Sequence, residues 1–309
     1  MRSSLSLALV VLVSGCSGEA PPPAESAATA PERELQRIVW VDRSGTIIGN
    51  VGEPQEALSG LEVSPDGERV VARGREAGND DIYIHEGDTK TRFTFDDAHA
   101  RHPKWSPNGD RIAYFSYRNG AADLFVRASD GSGEDTPVAA GPMHEYYPDW
   151  TPDGETLVFH LHDTDTDQRD LWYAPVDGQS PPVPLVETPY NVGLPRFSPD
   201  GNYVAYQAEQ DGIWNVFITT FPEGDRSWQI STNGGVWPKW RGEGGELYYF
   251  ENDELMAVTV ALGGEPSFGA PSPLFDTSSV GGWSAPEVSL FNALYGPAPN
   301  GARFAIVVR

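Results

Sequence analysis

Trp150-Thr151-Pro152-Asp153-Gly154 is the stretch of sequence that decides the fold, because related stretches recur along the chain. Four of them contain Ser/Thr-Pro-Asp/Asn-Gly and two are weaker copies: Ser64–Gly67, Ser106–Gly109, Thr151–Gly154, Ser198–Gly201, Arg241–Gly244 and Ala298–Gly301. Their glycines lie 42, 45, 47, 43 and 57 residues apart. Self-similarity at such a period is typical of repeat architectures, so the sequence predicts six similar units.

Each copy suits the turn of a tight β-hairpin. Proline pre-sets φ for the first corner of a type I turn, Asp or Asn suits the second, and glycine takes the left-handed conformation that follows. An apolar residue lies three positions after the glycine in all six copies: Val70, Ile112, Leu157, Val204, Leu247 and Phe304. Another lies four positions before it in five copies: Val63, Trp105, Trp150, Phe197 and Trp240. This pattern predicts an inner hairpin in every unit.

A third strand follows the hairpin in five units, where β-branched and aromatic residues are concentrated. These segments are Asp81–Ile84, Asp123–Val126, Asp170–Tyr173, Asn215–Ile218 and Glu254–Val258. A short fourth strand would complete a four-stranded antiparallel blade. The sequence therefore predicts an all-β fold, a six-bladed β-propeller.

The two ends of the chain are predicted to share the last blade. The final hairpin ends with the strand Arg303–Val308, and we expect Ile38–Val41 and Thr46–Gly49 to supply its outer strands. Sharing of this kind closes the ring and leaves no open sheet edge.

The repeat resembles that of the TolB-type propeller family, whose signature is Trp-Ser-Pro-Asp-Gly, an apolar strand and Asp-Ile-Tyr/Trp-Val. The resemblance covers about residues 37–309 and implies a propeller with a binding role. A closer resemblance is to the extracytoplasmic C-terminal propeller of bacterial transmembrane serine/threonine kinases, in Ile38–Gly45, Gly234–Arg241 and Leu255–Val258. The α/β domain of TolB and the kinase motifs have no counterpart here. The resemblance therefore implies neither membership of the Tol–Pal system nor kinase activity.

The first residues indicate secretion and a lipid anchor. Arg2 precedes the apolar stretch Leu5–Val13, which is too short to span a bilayer, and Val13-Ser14-Gly15-Cys16 resembles the bacterial lipobox. Cys16 is also the one cysteine of the chain. We expect a signal peptide at 1–15, an Ala/Pro-rich tether at 16–36 and the propeller at 37–309. The alternative is an ordinary cleaved signal with an incidental cysteine.

This interpretation places the protein in the periplasm or at the cell surface, attached to a membrane by its lipid alone. Ser17 favours delivery to the outer membrane, by resemblance to known lipoprotein sorting.

Charge and composition limit the partners. The net charge of −24, from 21 basic and 45 acidic side chains, makes nucleic acid a poor partner because no basic run exists to neutralise phosphates. The acidity serves either solubility or the attraction of cations and basic partners. Hydrophobic content of 39% supplies a core, which excludes a disordered chain.

Candidate catalytic and metal-binding motifs are weak. Gly282–Pro286 comes nearest to Gly-x-Ser-x-Gly but lacks the second glycine. Asp163–Asp167 is either the start of a calcium loop or a solvated turn, and Gln168 stands where an EF-hand loop needs glycine. His160 and His162 are either a zinc pair or two structural histidines. We therefore predict a monomeric protein that is not an enzyme and carries no cofactor or metal.

The segments that enter the inner strands are predicted to meet on the face opposite the turns, called the top face below. They contain the candidate binding residues His102, His144, Glu145, Tyr146, Tyr190 and Trp237. Aromatic rings, imidazoles and a carboxylate around a shallow mouth suit an envelope protein, a peptide or a glycan. The alternatives are rings that cap the spaces between blades, or a lyase- or hydrolase-type enzyme that uses carboxylates at the same mouth.

Overall fold

The chain is described from a computed structural model over residues 34–281 and 293–309, and there it is built from antiparallel β-strands. A 3-10 turn at Thr277–Val280 adds one short helical element. Within these two ranges, no helix has the length and apolar character needed to cross a membrane. The predicted all-β class is confirmed.

The strands pair in groups of four. The chain begins with β1 (Gln36–Asp42) and β2 (Ile47–Val63). The first part of β2 pairs with β1, and its second part is the inner strand of blade 1. The rest of blade 1 comprises β3 (Arg69–Glu76), β4 (Asn79–Glu86) and β5 (Thr89–Arg92).

Three further blades follow the same order from the inner to the outer strand. Blade 2 comprises β6 (Ala100–Trp105), β7 (Arg111–Asn119), β8 (Ala121–Ala128) and β9 (Thr136–Ala139). Blade 3 comprises β10 (His144–Trp150), β11 (Thr156–Asp163), β12 (Gln168–Pro175) and β13 (Val183–Val186). Blade 4 comprises β14 (Val192–Phe197), β15 (Tyr203–Gln210), β16 (Ile213–Thr220) and β17 (Ser227–Gln229).

Blade 5 carries one additional short strand on its outer side. It comprises β18 (Val236–Trp240), β19 (Glu246–Glu251), β20 (Glu254–Ala261), β21 (Ser267–Phe268) and β22 (Ser272–Asp276). The closing blade takes β23 (Tyr295–Pro297) and β24 (Arg303–Val308) from the end of the chain. These groupings are consistent with the six repeats predicted from the turns.

The predicted sharing of the closing blade is confirmed. Strand β1 lies between β24 and β2, with Arg37 opposite Val308 and Asp42 opposite Arg303. The inner strands of neighbouring blades contact one another in sequence around the ring, and β23 contacts β2 to complete the circle.

The turns form by the chemistry expected from their sequence. In the turn of blade 3, the Thr151 hydroxyl donates to Asp153 at 2.6 Å and accepts from the Thr156 amide at 3.0 Å. Gly154 has φ of 73°, which an L-residue with a Cβ rarely adopts. The turn therefore holds β10 and β11 in register.

Indole side chains at the ends of the inner strands join neighbouring blades. Trp105 Nε1 donates to the Glu62 carbonyl at 3.3 Å, and Trp150 Nε1 donates to the Lys104 carbonyl at 3.2 Å. Trp240 Nε1 repeats this bond to Arg196 at 3.0 Å. Each bond satisfies a buried donor and fixes the angle between two blades.

Candidate functional site

A β-bulge interrupts the inner strand of blades 1 to 5 three residues before the end of the strand. At this position the backbone has positive φ, in Gly60, His102, Tyr147, Leu194 and Trp237. A bulge re-aims a side chain that regular alternation would send elsewhere. Four side chains and Tyr295 of the closing blade are therefore directed at the channel axis.

These axial side chains, called the plug below, fill the channel. The rings of His102 and Tyr147 lie 4.3 Å apart, and a Cβ on Gly60 would lie 3.2 Å from His102 Nδ1. Leu194, Trp237 and Tyr295 share one apolar cluster, against which Tyr147 packs. The plug separates the top face from the face that carries the turns, called the turn face.

A ring of charged side chains lies two residues further along the inner strands of blades 1 to 5. Its members are Glu62, Lys104, Asp149, Arg196 and Lys239, called the charge ring below. Glu62 accepts from Lys239 at 2.8 Å, from Lys104 at 3.0 Å and from Arg196 at 3.1 Å. Lys104 also contacts Asp149 at 3.0 Å.

Burial and charge act together on the ionisable groups of this ring. Burial alone would raise the pKa of Glu62, but Lys104, Lys239 and Arg196 outweigh it and hold that pKa well below its usual range. Burial lowers the pKa of Lys239 to about 7, because Arg196 and Lys104 offset the attraction of Glu62. The ring is thus a network of charged groups around the Glu62 carboxylate, and Lys239 is its member that loses its proton near neutral pH.

On the top face, imidazole and phenol rings of blades 2 and 3 form one continuous cluster, the imidazole–tyrosine cluster. Its members are His102, Tyr117, His144, Tyr146, Tyr147, His160 and His162. His144 and Tyr146 stack with centroids 5.5 Å apart, and His144 Nδ1 accepts from the Ala122 amide at 3.0 Å. Burial lowers the pKa of His144, and His162 adds to the effect. The partly exposed rings of the cluster, such as His144 and Tyr146, can therefore stack on a partner.

Glu145 lies in the same strand but is only 3% exposed. Its Oε2 atom is buried without a hydrogen-bond partner in the described part of the chain. Burial raises the pKa of Glu145 to about 8, and the charge of Asp123 reinforces the shift. The carboxyl group is therefore protonated at neutral pH.

An apolar cavity of about 310 Å³ opens on the top face between blade 4, blade 5 and the closing blade. Its apolar lining consists of Ile213, Trp214, Val236, Trp237, Phe250, Leu294 and Ile306. Asn233 and Asn252 place polar groups among them. This combination of apolar walls and few polar groups is typical of a binding pocket.

The structure distributes the predicted binding residues over three environments. His144, Glu145 and Tyr146 lie together in blade 3. His102 and Trp237 were expected at the mouth, but the bulges bury both in the plug, where Trp237 still lines the cavity. Tyr190 is 41% exposed in the segment before β14, where its carbonyl accepts from Gln168 at 3.1 Å. Cys16 and Gly282–Pro286 lie outside the described residues.

The acidic loop and His162, which belong to the two candidate metal motifs, are held by internal bonds. Asp163 accepts from the Asp165 amide at 2.9 Å. Asp167 Oδ1 lies 2.9 Å from His162 Nε2 and accepts from Arg169 Nη2 at 2.9 Å. Among residues 34–281 and 293–309, no group of three His, Cys, Asp or Glu side chains could hold a metal ion. His160 is buried, and burial holds its pKa well below the usual range.

Sequence reasoning missed the charge ring and the plug, although the sequence contains a signal for both. Proline occurs inside four inner strands: Pro103, Pro148, Pro195 and Pro238. Proline within a strand marks a bulge or an edge, because it cannot donate to the ladder. A charged residue follows each of these prolines, so alignment of the repeats would have shown the ring.

Comparison with known proteins identifies the repeat. Residues 97–262, more than half of the chain, match the family model described as the TolB beta propeller domain. An uncharacterized peptidase, YuxL, of Bacillus subtilis is 29% identical over 133 residues. That match covers 40% of this chain, but only 19% of the relative's length.

Solved structures share the fold at low sequence identity. A structure assigned as TolB from Agrobacterium tumefaciens has a TM-score of 0.68 at 16% identity, and the match covers 89% of this chain and 98% of that one. An oligogalacturonate lyase in complex with manganese has a TM-score of 0.54 at 14% identity, with 77% and 73% covered. The same architecture thus occurs in proteins of different function.

Proposed function

The chain belongs to the TolB β-propeller domain family, and from this premise we propose that it is a binding protein of the bacterial cell envelope. Its top face takes up a peptide segment of a partner protein. The observation that carries the proposal is the apolar cavity of about 310 Å³ at Trp237, on the face that also presents the imidazole–tyrosine cluster.

The cavity supplies the anchor of such a complex. A few large side chains that enter well-packed pockets dominate the energy of most protein interfaces. The walls of the cavity come from three blades, so they are held by the ring itself rather than by one loop. A rigid pocket reduces the entropy lost on binding. We expect it to take one large apolar side chain of the partner.

The imidazole–tyrosine cluster supplies the surrounding contacts. Tyr147 contacts both His102 and the apolar cluster that contains Trp237, so it links the two regions. Stacked rings such as His144 and Tyr146 provide area at low entropic cost, because they are already ordered. A peptide that places its anchor in the cavity can therefore extend across the cluster.

A matched pair of isoleucines tests this proposal. Ile213 lines the cavity and is 55% exposed, whereas Ile48 is 54% exposed on the outer part of β2 in the closing blade. Immobilised full-length protein is panned against a library of random heptapeptides. We expect enrichment of peptides with a large apolar residue, at least a tenfold loss with Ile213→Asp, and no loss with Ile48→Asp. Equal enrichment by the two variants, or none by the wild type, would contradict the proposal.

Catalysis at the top face is a second candidate, and Glu145 is the observation that favours it. A carboxyl group whose pKa is raised to about 8 can act as an acid near neutral pH. A screen of glycan and peptide substrates, with Glu145→Gln as the matched variant, separates the two functions. Turnover by the wild type that Glu145→Gln abolishes would favour the enzyme.

Attachment to the membrane belongs to the same proposal and rests on the lipobox-like Val13–Cys16. We expect the mature protein to begin at an acylated Cys16 and to partition with membranes, in the periplasm or at the cell surface. Cys16→Ala should move it to the soluble fraction or leave it uncleaved. An unmodified N-terminus beyond residue 16, found by mass spectrometry, would refute the anchor.

A further inference from the structure

The turn face carries a second cavity, separate from the top face. It is a funnel of about 510 Å³, with the prolines of five turns around its mouth: Pro65, Pro107, Pro152, Pro199 and Pro299. Aromatic side chains, among them Trp105 and Trp150, form the walls. The charge ring forms the floor, because all five of its members line the funnel. The plug lies on the other side of that floor.

The charges of the floor do not cancel. Lys104, Arg196 and Lys239 face only two carboxylates of the ring, so the ring has an excess of one positive charge below about pH 7, where Lys239 is protonated. The exposed Glu243 also lines the funnel, but its carboxylate is paired with Arg241 at 3.1 Å. This excess lies inside a chain whose net charge is −24. A single buried charge that lacks a counter-charge is costly, and an anion of charge −1 that reaches it is stabilised.

Arg196 supplies a hydrogen-bond donor for such an anion. Its side chain is buried, its Nη2 donates to Glu62 at 3.1 Å and its Nη1 donates to the Pro195 carbonyl at 2.9 Å. Its Nε has no hydrogen-bond partner in the described part of the chain. A guanidinium with a free donor, beside Lys239, is suited to a carboxylate oxygen.

We propose that the funnel on the turn face binds a carboxylate group carried by a small organic acid or by the C-terminus of a peptide. One carboxylate balances the excess charge, whereas a phosphate dianion would exceed it. The indole and proline walls provide apolar contact for the organic body next to the carboxylate, which a small inorganic anion does not have. The funnel volume lies in the range of small-molecule sites, which is about 300–1,000 Å³.

Calorimetric titration of the full-length protein distinguishes the sources of the carboxylate. The probes are an N-acetylated tripeptide with a free C-terminus, the same tripeptide amidated, benzoate, and inorganic phosphate. We expect saturable binding of the free acid and at least tenfold weaker binding of the amide. Binding of benzoate with none of the tripeptide assigns a small organic acid. Absence of binding by both carboxylates, or equal binding of acid and amide, would overturn the proposal.

Two variants of the floor test its role in binding. Lys239→Gln leaves two cations and two carboxylates, so the excess positive charge is removed, and we expect carboxylate affinity to fall at least tenfold. Arg196→Lys keeps the positive charge but removes the guanidinium with its Nε donor. It replaces Lys239→Gln as the test variant if Lys239→Gln does not fold. Unchanged affinity in a folded variant would overturn the proposal. Ile213→Asp should leave carboxylate binding intact, so failure at the top face is distinguishable from failure here.

Discussion

Replacement of Glu62 by glutamine should destabilise the protein more than any substitution of an exposed carboxylate. Glu62 accepts three charge-assisted bonds from three different blades, at 2.8, 3.0 and 3.1 Å. In Glu62→Gln the charge ring keeps three cations and one carboxylate. Removal of one member of a buried ion network costs about 3–5 kcal/mol, because it leaves buried charge without compensation.

The expected loss is measurable by thermal melting. For a folded region of this size, each kcal/mol shifts Tm by about 2–4 °C, so Glu62→Gln should lower Tm by about 6–20 °C. The matched control is Glu68→Gln, whose side chain is 73% exposed and lies 3.6 Å from Arg303. An exposed pair of this kind contributes about 0–1 kcal/mol, so the control should melt within a few degrees of the wild type.

A second substitution checks that charge, and not packing, causes the effect. Glu62→Gln combined with Lys239→Met restores an excess of one positive charge and should recover at least half of the lost stability. Since the folded protein lowers the pKa of Glu62, its contribution is present above the usual pKa of 4.5 and is lost as the pH falls. Glu62→Gln should flatten that acid limb. A single variant that melts within 2 °C of the wild type, roughly 1 kcal/mol at most, would refute the reasoning.

Three further predictions follow from the closing blade, from Glu145 and from the indole bonds. Deletion of residues 34–50 removes four buried apolar side chains at Ile38–Val41, about 6–12 kcal/mol, and circular dichroism should show an unfolded or much less stable chain. Because burial raises the pKa of Glu145 to about 8, this residue contributes stability below pH 4.5, and the contribution is lost as the pH rises through 8. Denaturant unfolding of Glu145→Gln should therefore show a smaller decrease in unfolding free energy between pH 4.5 and pH 8. Trp150→Phe removes the bond to the Lys104 carbonyl but keeps a ring, so urea unfolding should show a loss of about 0.5–1.5 kcal/mol.

The blades could be predicted from the sequence because their signals are local. Pro, Asp and Gly at fixed positions define the turn, and the apolar residues on either side define the hairpin. The sharing of the closing blade was predictable too, because Ile38–Val41 is a strand that no other repeat could accommodate. Both inferences need only short-range pattern and the requirement that sheet edges be paired.

The channel could not be predicted in the same way, because its side chains meet only when the blades are in place. Regular alternation would put His102 and Trp237 at the mouth, and one bulge per strand directs them to the axis instead. The members of the charge ring lie two positions after the bulges, and in a single strand each of them would be predicted to face solvent. Glu62 and Lys239 are 177 residues apart, and their contact depends on all the intervening blades.

The cavity at Trp237 could not be predicted from the sequence either, and the reason is physical. Its walls combine Ile213 at the start of β16, Val236 at the start of β18 and the buried Phe250 of β19, which belong to three different strands. Of the predicted binding residues, Trp237 is the one that lines this cavity, and it was predicted because it lies near the start of an inner strand. In the structure Trp237 is a wall of the cavity and not an exposed anchor, and its role in binding stays a prediction.

The plug determines how the two faces can act on each other. His102, Tyr147, Leu194 and Trp237 fill the axis between the cavity and the charge ring, and Tyr295 donates to the Trp237 carbonyl at 2.7 Å. Nothing large can pass through a channel that is packed in this way. A ligand on one face can therefore affect the other only by moving an inner strand, and the indole bonds between blades resist that movement. Two ligands should bind independently, one to each face, unless a substitution in the plug loosens the strands that they share.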